Sequence, residues 1–350
     1  MKRPRRQFLQ LAAAGAAALP ATRQFAKAQQ TAQAQAPLDP LVWPVVTKLP
    51  PEVHGFSGHT NTVPDIVGRL GAPASLVIFT EGNHLMVLHS DDILGAFPTW
   101  ARSQYQYADL DLDNIILVTL PQPIVVQTIR SGAIGLGNLR LEFTRTSGYY
   151  PDIVMSGLAP LQALRELNLI ESKARAFSKN RGRALVVRKG NPLRINGLAD
   201  VARIGARVVQ ADDVEAAARA GNIAAVEALV GKTVSDAVFA HELTHFPGRV
   251  GITHRDVPEA IARDYADVGL TQYHLISYWA RTFPDHFELI QIIGAERFPV
   301  KIGFARVSNP LRPRALNAFE EFFFARARDL YPHYDFARMS DDEYGAPMLL

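Results

Sequence analysis

The sequence of 350 residues predicts an α/β fold. From residue 76 onward, short runs of β-branched residues alternate with helical patterns, which is typical of βαβ units and parallel sheets. An apolar fraction of 48% is ordinary for a globular protein, and the length allows two domains or one large one. The predicted strands are 76–79, 115–119, 153–155, 184–187, 207–209, 267–270, 289–293 and 302–305, and the predicted helices are 83–105, 124–131, 160–167, 214–220, 257–264 and 313–330.

Residues 1–28 form a predicted export signal. A basic start is followed by an apolar Leu/Ala stretch and by an A-x-A cleavage pattern at 26–28, in the order of a secretory signal peptide. The pair Arg5-Arg6 resembles the twin-arginine signal, which exports folded proteins across the bacterial inner membrane. A basic disordered tail is the alternative. We therefore predict a periplasmic protein in which residues 29–73 form a linker and an irregular arm over the first domain.

Composition excludes several classes of function. The chain has no cysteine, which rules out disulfides, thiolate metal sites and a cysteine nucleophile. Six of the 37 basic residues lie in 1–28, so the remainder holds 31 basic against 34 acidic side chains, a net charge of −3. A mildly acidic chain is a poor candidate for nucleic-acid binding. No apolar run reaches the length of a bilayer-spanning helix, so we predict no stable membrane insertion.

Glycine and short polar side chains follow several predicted strands. In open α/β sheets, ligands bind beyond the carboxyl ends of the strands, where helix N-termini present unpaired N–H groups. Each position taken alone also suits an ordinary cap or turn. The candidates are Thr80, Gly82, Asn83 and His84 after the first strand, Gln122 after the second, Ser156 at the end of the third, and Ala211 and Asp212 after the strand 207–209.

An ordered series of short motifs between residues 151 and 270 resembles the molybdate-type periplasmic solute-binding proteins of ABC importers. The segment 151–157, PDIVMSG, is similar to a strand end of that family. The segment 184–192, ALVVRKGNP, is similar to its crossover strand, and 266–270, ADVGL, is similar to its return strand. Each motif is short, so the resemblance depends on their order.

The resemblance implies a type II periplasmic-binding-protein fold, with two lobes, a mainly parallel sheet in each and two crossover strands. Lobe 1 would comprise 74–182 plus 272–350, and lobe 2 would comprise 183–271. The protein would be a monomer without enzymatic activity or a cofactor. It would deliver a small solute, such as the oxyanions molybdate and tungstate, to an inner-membrane ABC importer.

The same resemblance implies how the solute is held. Hydroxyl groups and backbone N–H groups at helix starts would bind an oxyanion without cationic side chains. By position, the binding tyrosine of the family falls on Gln272, with Tyr273 one residue further. His254 and Arg255, just before a predicted helix, are candidates for contact with an anionic ligand.

Three departures from the family pattern leave the solute class open. The first turn carries Glu81, and a carboxylate that faces a bound oxyanion is unfavourable unless it is protonated or turned away. Gln122 is flanked by prolines, which lack N–H groups. Asp212 and Asp213 compete with an anion at their helix start. An organic or a cationic solute is therefore an equal alternative to an oxyanion.

One motif points to a different chemistry. The segment His241-Glu242-Leu243-Thr244-His245 matches H-E-x-x-H, in which two histidines on one helix bind Zn²⁺ and the glutamate is the general base. The third-ligand position of the longer zinc-protease pattern is occupied by glycine. A secreted zinc hydrolase that uses His241 and His245 is thus the alternative to the binding protein.

Overall fold

The strands of the protein form a seven-stranded sheet, a four-stranded sheet and a two-stranded hairpin in a computed structural model that describes residues 36–39, 41, 65–136, 139–249 and 251–350. The predicted signal at 1–28 and most of the predicted arm lie outside the described residues. The strands are β1 (Asp65–Val67), β2 (Leu76–Thr80), β3 (Ile115–Thr119), β4 (Ala133–Leu136), β5 (Leu139–Glu142), β6 (Ile153–Gly157), β7 (Ile170–Lys179), β8 (Arg183–Arg188), β9 (Val208–Val209), β10 (Val268–Gln272), β11 (Phe287–Gln291), β12 (Lys301–Val307) and β13 (Pro347–Met348).

The helices lie between these strands, as the alternating sequence pattern predicts. The α-helices are α1 (Leu85–Leu88), α2 (Phe97–Ser103), α3 (Gln122–Ser131), α4 (Leu158–Glu166), α5 (Leu198–Ile204), α6 (Ala216–Val230), α7 (Lys232–Val238), α8 (Val257–Ala262), α9 (Tyr273–Thr282) and α10 (Pro313–Leu330). The helix predicted over 83–105 is interrupted, because a π-helical turn at Asp91–Gly95 separates α1 from α2.

The seven-stranded sheet forms the first lobe, which we call lobe 1. Its order is β1-β3-β2-β6-β12-β7-β13, and β2 pairs in parallel with both β3 and β6. The remaining pairs are antiparallel. The sheet is therefore mixed, in contrast to the mainly parallel sheet predicted from the sequence. The reason is that β12 returns from the other lobe and runs opposite to strands that lead towards it.

The four-stranded sheet forms lobe 2, with the order β11-β8-β10-β9. Only the β10–β9 pair is parallel, while β8 pairs antiparallel with both β10 and β11. Helix α9 packs against β8, β10 and β11, so it also belongs to this lobe. The chain enters lobe 2 between β7 and β8 and leaves it between β11 and β12.

The second crossover is the segment through which the chain returns from lobe 2 to lobe 1. Its position therefore differs from residue 272, where the resemblance implies that lobe 1 resumes. Phe287 at the start of β11 is buried in the core of lobe 2, and β11 extends that sheet beyond β8. We propose lobe boundaries on this basis: lobe 2 runs from 183 to 291, and the crossovers are 180–182 and 292–300. The crossovers touch, since Gly182 lies against the carbonyl of Ala295.

The central strands of the two larger sheets, such as β2, β6 and β8, are buried on both faces, which is why they read as mostly apolar runs. In β2, Leu76 and Ile78 pack into the core on one face of lobe 1, and Val77 and Phe79 pack into the core on the other. The aromatic side chains of α10 pack into the first of these cores. The strands β8 and β10 separate two further cores in lobe 2 in the same way.

Two described parts of the predicted arm, Leu38 and Asp65–Val67, differ from the irregular arm over the first domain that the sequence predicts. Asp65–Val67 form strand β1, which pairs with β3 at the edge of lobe 1. Leu38 donates its backbone N–H to the carbonyl of Ala262 and packs against lobe 2, and not against lobe 1. Within the described residues, no helix combines the length and apolarity needed to cross a membrane.

Candidate functional site

A cavity of about 320 Å³ lies between the two lobes, at the carboxyl ends of β2, β3 and β6. Parallel strands place the residues that follow them at one edge of the sheet, and lobe 2 covers that edge. Proline and alanine make up half of the residues that line the cavity. The polar residues that line it are Glu81, Asn83 and Gln122 from lobe 1 and Glu215, His254 and Gln272 from lobe 2.

Glu81 is the central residue on the lobe 1 side. It directly follows β2 in an extended conformation and is 3% exposed. Its Oε1 atom accepts hydrogen bonds from the Gly157 N–H at 3.0 Å, from the Ser156 hydroxyl at 3.2 Å and from the Gln122 side-chain amide. Gly157 precedes helix α4, and Gln122 is the first residue of helix α3. The carboxyl group thus lies where two helix N-termini converge.

Burial raises the pKa of Glu81 from 4.5 to about 7. The hydrogen bond from Gly157, the charge of His254 and the hydrogen bonds from Ser156 and Gln122 all act in the opposite direction, and desolvation outweighs them. Near neutral pH this carboxyl group therefore exchanges between its neutral and its charged form. In both forms of the Glu81 carboxyl group, one oxygen can accept the hydrogen bond from the Gly157 N–H.

Glu215 faces the cavity from lobe 2. It lies at the start of α6 and is 5% exposed. Its Oε2 atom accepts a hydrogen bond of 2.8 Å from Nδ1 of His254 and a weaker one of 3.3 Å from the His254 backbone N–H. Burial acts to raise the pKa of Glu215, but the charge and hydrogen bonds of His254 lower it overall. Its second oxygen, Oε1, has no hydrogen-bond partner among the described residues.

An ion pair joins the lobes beside this cavity. Nη2 of Arg255 in lobe 2 lies 2.8 Å from Oδ2 of Asp65 on β1 and 3.2 Å from the Thr119 hydroxyl oxygen on β3. The Arg255 and Asp65 side chains are 10% and 3% exposed, so the pair is buried. A Cβ atom on Gly82 would lie 1.8 Å from Arg255 Nη2. Glycine at position 82 therefore leaves room for the arginine to reach lobe 1.

A second contact across the lobes is made at the end of β10. The side-chain amide of Asn83 donates to Oε1 of Gln272 at 3.4 Å. Tyr273, the next residue, lies outside the cavity wall, where its ring stacks against the guanidinium of Arg181 and its N–H donates to the Gly182 carbonyl. Tyr273 therefore contacts the first crossover and not the cavity.

Three of the predicted site residues, Asn83, Gln122 and Gln272, line the cavity. Ser156 contacts it through Glu81, as described above. Gly82 lines a smaller aromatic pocket of about 60 Å³ on the other side of Arg255. The structure therefore brings three of the ten predicted residues to the cavity wall and gives the remaining residues other positions.

The structure places His84 in the core of lobe 1 and not in the cleft. Its ring packs against Phe177, Tyr331 and Phe336, and neither ring nitrogen has a hydrogen-bond partner among the described residues. Burial lowers its pKa from 6.5 to about 3, so the ring is neutral. The turn Gly82–His84 rotates this side chain away from the sheet edge.

The remaining predictions also fall outside the cavity wall. Thr80 and Ala211 are buried beneath it. Asp212 accepts hydrogen bonds from the backbone N–H groups of Val214 and Ile252, so it caps the turn before α6 and joins two segments of lobe 2. Helix capping, the ordinary interpretation of these positions, is the correct one for Asp212.

The H-E-x-x-H segment does not form the geometry of a zinc site. His241 and His245 lie after α7 in a turn and an irregular stretch, not one helical turn apart on a helix. Glu242 forms a salt bridge of 2.8 Å with Arg219 and accepts a hydrogen bond from Gln210, so it is not available as a free base. No group of three or more potential metal ligands occurs in the part of the chain that the structure describes.

The residues that sequence reasoning missed are those whose partners are far away in the chain. Glu81 is noticeable in the sequence only as a departure from the family pattern. Glu215 has no sequence signal, because its partner His254 is 39 residues away. His254 and Arg255 were only candidates for contact with an anionic ligand. The structure pairs His254 with Glu215 and Arg255 with Asp65.

The chain matches a known family over residues 120–328, namely the bacterial extracellular solute-binding proteins. Among solved structures, the sulfate-binding protein SubI from Mycobacterium tuberculosis H37Rv has a TM-score of 0.54 at 13% identity, over 77% of this chain and 88% of that one. Iron-bound HitA from Pseudomonas aeruginosa has a TM-score of 0.48 at 12% identity, over 79% and 90%. A periplasmic thiamin binding protein has a TM-score of 0.49 at 14% identity, over 78% and 87%.

At this identity, the likeness to SubI concerns the fold alone, which is that of a two-lobed binding protein. No curated protein matches the chain in sequence.

Proposed function

The chain belongs to the bacterial extracellular solute-binding proteins, and we propose that it captures a small solute between its two lobes and delivers it to an ABC importer of the inner membrane. The observation that carries this proposal is the cavity whose polar residues come from both lobes. We propose a binding role and no catalytic one.

Closure of the lobes explains how such a protein gains affinity. When the lobes separate, Glu81 and Gln122 move away from Glu215 and His254, and a solute can reach the cavity. Closure then removes water from the polar groups and forms the Arg255–Asp65 ion pair. A solute that contacts both lobes stabilises the closed form, which is the form that would dock productively on the importer.

An oxyanion solute would need hydrogen-bond donors that now donate to the Glu81 carboxyl group. Molybdate or tungstate would take the Gly157 N–H and the Ser156 hydroxyl, both of which donate to the Glu81 carboxyl group. An oxyanion would therefore require Glu81 to turn away or to be neutral. A solute that leaves Glu81 in place fits the cleft with less rearrangement.

We also propose that residues 1–28 direct folded export by the twin-arginine route. Replacement of both Arg5 and Arg6 by lysine keeps the charge of the segment and removes the paired guanidinium groups. The expected result is loss of the protein from the periplasmic fraction, measured by cell fractionation. Unchanged export of the double variant would contradict this route.

The test of solute capture is a thermal-shift panel on the protein without residues 1–28. The panel comprises molybdate, tungstate, sulfate, phosphate, organic acids, organic amines, and zinc with a chelator. A ligand at 1,000 times its Kd stabilises a folded protein by about 4 kcal/mol, which raises the Tm by several degrees. We expect at least one small organic or inorganic solute to do so.

A pair of variants locates the binding. Ala217 lines the cavity, whereas Ala224 is exposed on the same helix away from it. Ala217→Trp should abolish the shift and Ala224→Trp should retain it. Equal shifts in both variants would place the solute elsewhere, and the proposal would fail.

A further inference from the structure

We propose that the solute of this cleft is a small organic cation, with amine or amidine N–H groups on a compact apolar body. This inference rests on the proposed function, because it names the solute class for the same cavity. Three independent observations carry it: the charges on the wall, the oxygen atoms without partners and the apolar remainder of the surface.

The charges on the wall are mostly negative. Glu81 from lobe 1 and Glu215 from lobe 2 face the same cavity, and His254 is the one basic side chain among the described residues that line it. His254 is held by Glu215 through its Nδ1 atom. Arg255, the neighbouring cation, is directed to Asp65 and Thr119 instead. When Glu81 is charged, the cleft therefore has one carboxylate more than its own cations balance.

Buried oxygen atoms without partners indicate which groups the ligand supplies. Oε1 of Glu215 is buried and accepts no hydrogen bond from the described residues, and Oδ1 of Asn83 is in the same condition. A buried oxygen without a donor is costly in free energy. A ligand with several N–H groups would satisfy both oxygens, whereas an oxyanion would place further acceptors beside them. Nε2 of His254 is the one buried ring nitrogen of the cavity wall without a partner among the described residues.

Glu81 accepts hydrogen bonds from three donors on the lobe 1 side. Its carboxyl group takes the Gly157 N–H, the Ser156 hydroxyl and the Gln122 amide, as an external anion would. The chain thus carries its own anion at the helix N-termini of α3 and α4. What faces the cavity beyond that point is an acidic group and not a set of free donors.

The rest of the wall suits an organic body. Pro121, Pro123, Val126, Ala159 and Ala217 contribute apolar surface, and the volume of about 320 Å³ exceeds that of a bare ion. Pockets for small organic ligands have this character, with a mostly apolar lining and a few polar groups that fix orientation. The acidic side chains of the cavity do not converge as a cluster of three metal ligands within the described residues.

The experiment compares three probes of nearly equal shape and different charge: benzamidine, benzamide and benzoate. Isothermal titration calorimetry on the protein without residues 1–28 measures their Kd values, with 2-phenylethylamine and agmatine as further cations. We expect a cation to bind, and benzamidine to bind at least about 10-fold more tightly than benzamide and benzoate, because a charge-assisted hydrogen bond to Glu215 has that magnitude.

Two variants test the residue that carries the argument. Glu215→Gln should weaken the binding of the cation about 10- to 100-fold, since it keeps the shape and removes the charge. Glu227→Gln removes an equal charge from the exposed face of the same helix and should leave the Kd unchanged. Glu81→Gln, which keeps an acceptor for Gly157, serves as a second variant if Glu215→Gln fails to fold as judged by circular dichroism.

The outcomes separate this inference from the proposed function. If benzoate, benzamide or an oxyanion binds more tightly than every cation, and Ala217→Trp abolishes that binding, the cleft is a solute site and the cation class is wrong. The absence of binding by every cation up to 10 mM also overturns the class. Binding that survives Ala217→Trp overturns the proposed function itself.

Discussion

At the scale of single residues, the cleft is defined by where buried carboxyl groups find partners. The carboxyl group of Glu81 accepts hydrogen bonds within lobe 1. At Glu215 only one of the two carboxylate oxygens has a hydrogen-bond partner among the described residues. The two groups have opposite pKa shifts, because the charge and the hydrogen bonds of His254 together outweigh burial at Glu215, whereas burial dominates at Glu81. Their charge at neutral pH therefore differs, although they face one cavity.

The raised pKa of Glu81 predicts a pH dependence of stability. Between pH 4.5 and pH 7 the folded protein holds a proton on Glu81 that the unfolded chain has lost, so stability falls as the pH rises through this window. The loss contributed by this group is about 3 kcal/mol. Glu81→Gln should remove that contribution and make the variant more stable than the wild type at pH 8, measured by urea unfolding.

The same experiment has a clear contrary result. If the wild type and Glu81→Gln change in parallel between pH 5 and pH 8, Glu81 does not titrate with a raised pKa. Glu343, whose pKa is lowered to about 2 by hydrogen bonds from Lys179 and Lys301, titrates below this range and does not interfere.

The sequence predicts a residue of the cleft only where the position of its backbone is enough to bring it to the cavity. Asn83 and Gln122 follow strands of the sheet edge, and that position is enough to bring them to the cavity. Backbone position alone does not determine the direction of a side chain within a turn, as His84 shows. Its neighbour Asn83 faces the cleft, while His84 packs into an aromatic core that includes Tyr331, 247 positions later in the chain.

At the scale of elements, strand runs were the most predictable feature. All eight predicted strands correspond to strands of the structure, and burial on both faces makes strands such as β2 and β3 continuously apolar up to their last residue. Strand β7 was not predicted, since charged residues alternate along it and three of its residues in a row are exposed. Strand β11 was predicted, but its assignment to lobe 2 depends on pairing with β8 about 100 residues earlier.

The crossover at Gly182 provides a prediction at this scale. Gly182 has a φ of +80°, and a Cβ atom there would lie 2.0 Å from the backbone oxygen of Ala295 in the other crossover. Gly182→Ala therefore combines backbone strain with a collision between two backbones. We expect a loss in the free energy of unfolding of about 3 kcal/mol or more.

Gly190 is the matched control for this substitution. Its φ of +79° is almost the same, but no atom lies within 4 Å of the Cβ position. Gly190→Ala should therefore lose only the strain contribution of about 1 kcal/mol. Chemical denaturation of both variants measures the difference, and equal losses would mean that the contact between the crossovers has no energetic role.

At the scale of the whole molecule, the lobes are joined by crossovers on one side and by the Arg255–Asp65 ion pair beside the cavity. Because its two residues belong to different lobes, the ion pair can form only when the lobes are close, and its formation accompanies closure of the cleft. On the proposed function, a solute and the ion pair would stabilise the same closed form. The family assignment and this geometry together support a protein that closes around its solute.

Arg255→Gln tests this link. Removal of one partner of a buried ion pair should lower the free energy of unfolding by about 3 kcal/mol. It should also favour the open form, which increases the radius of gyration measured by small-angle X-ray scattering. Arg263→Gln removes an arginine that is 60% exposed and pairs with Glu259, so its loss should stay below about 1 kcal/mol. An unchanged radius in Arg255→Gln would contradict the role assigned to the ion pair.

Hydrogen exchange with and without solute tests the central claim most directly. The solute is the compound that raises the Tm most in the thermal-shift panel, and the readout is deuterium uptake by peptides from both lobes. A solute held between the lobes should protect the region of Gly157 in lobe 1 and the regions of Glu215 and His254 in lobe 2 at the same time. Protection of one lobe alone, or of a surface away from the cavity, would contradict solute capture between the lobes.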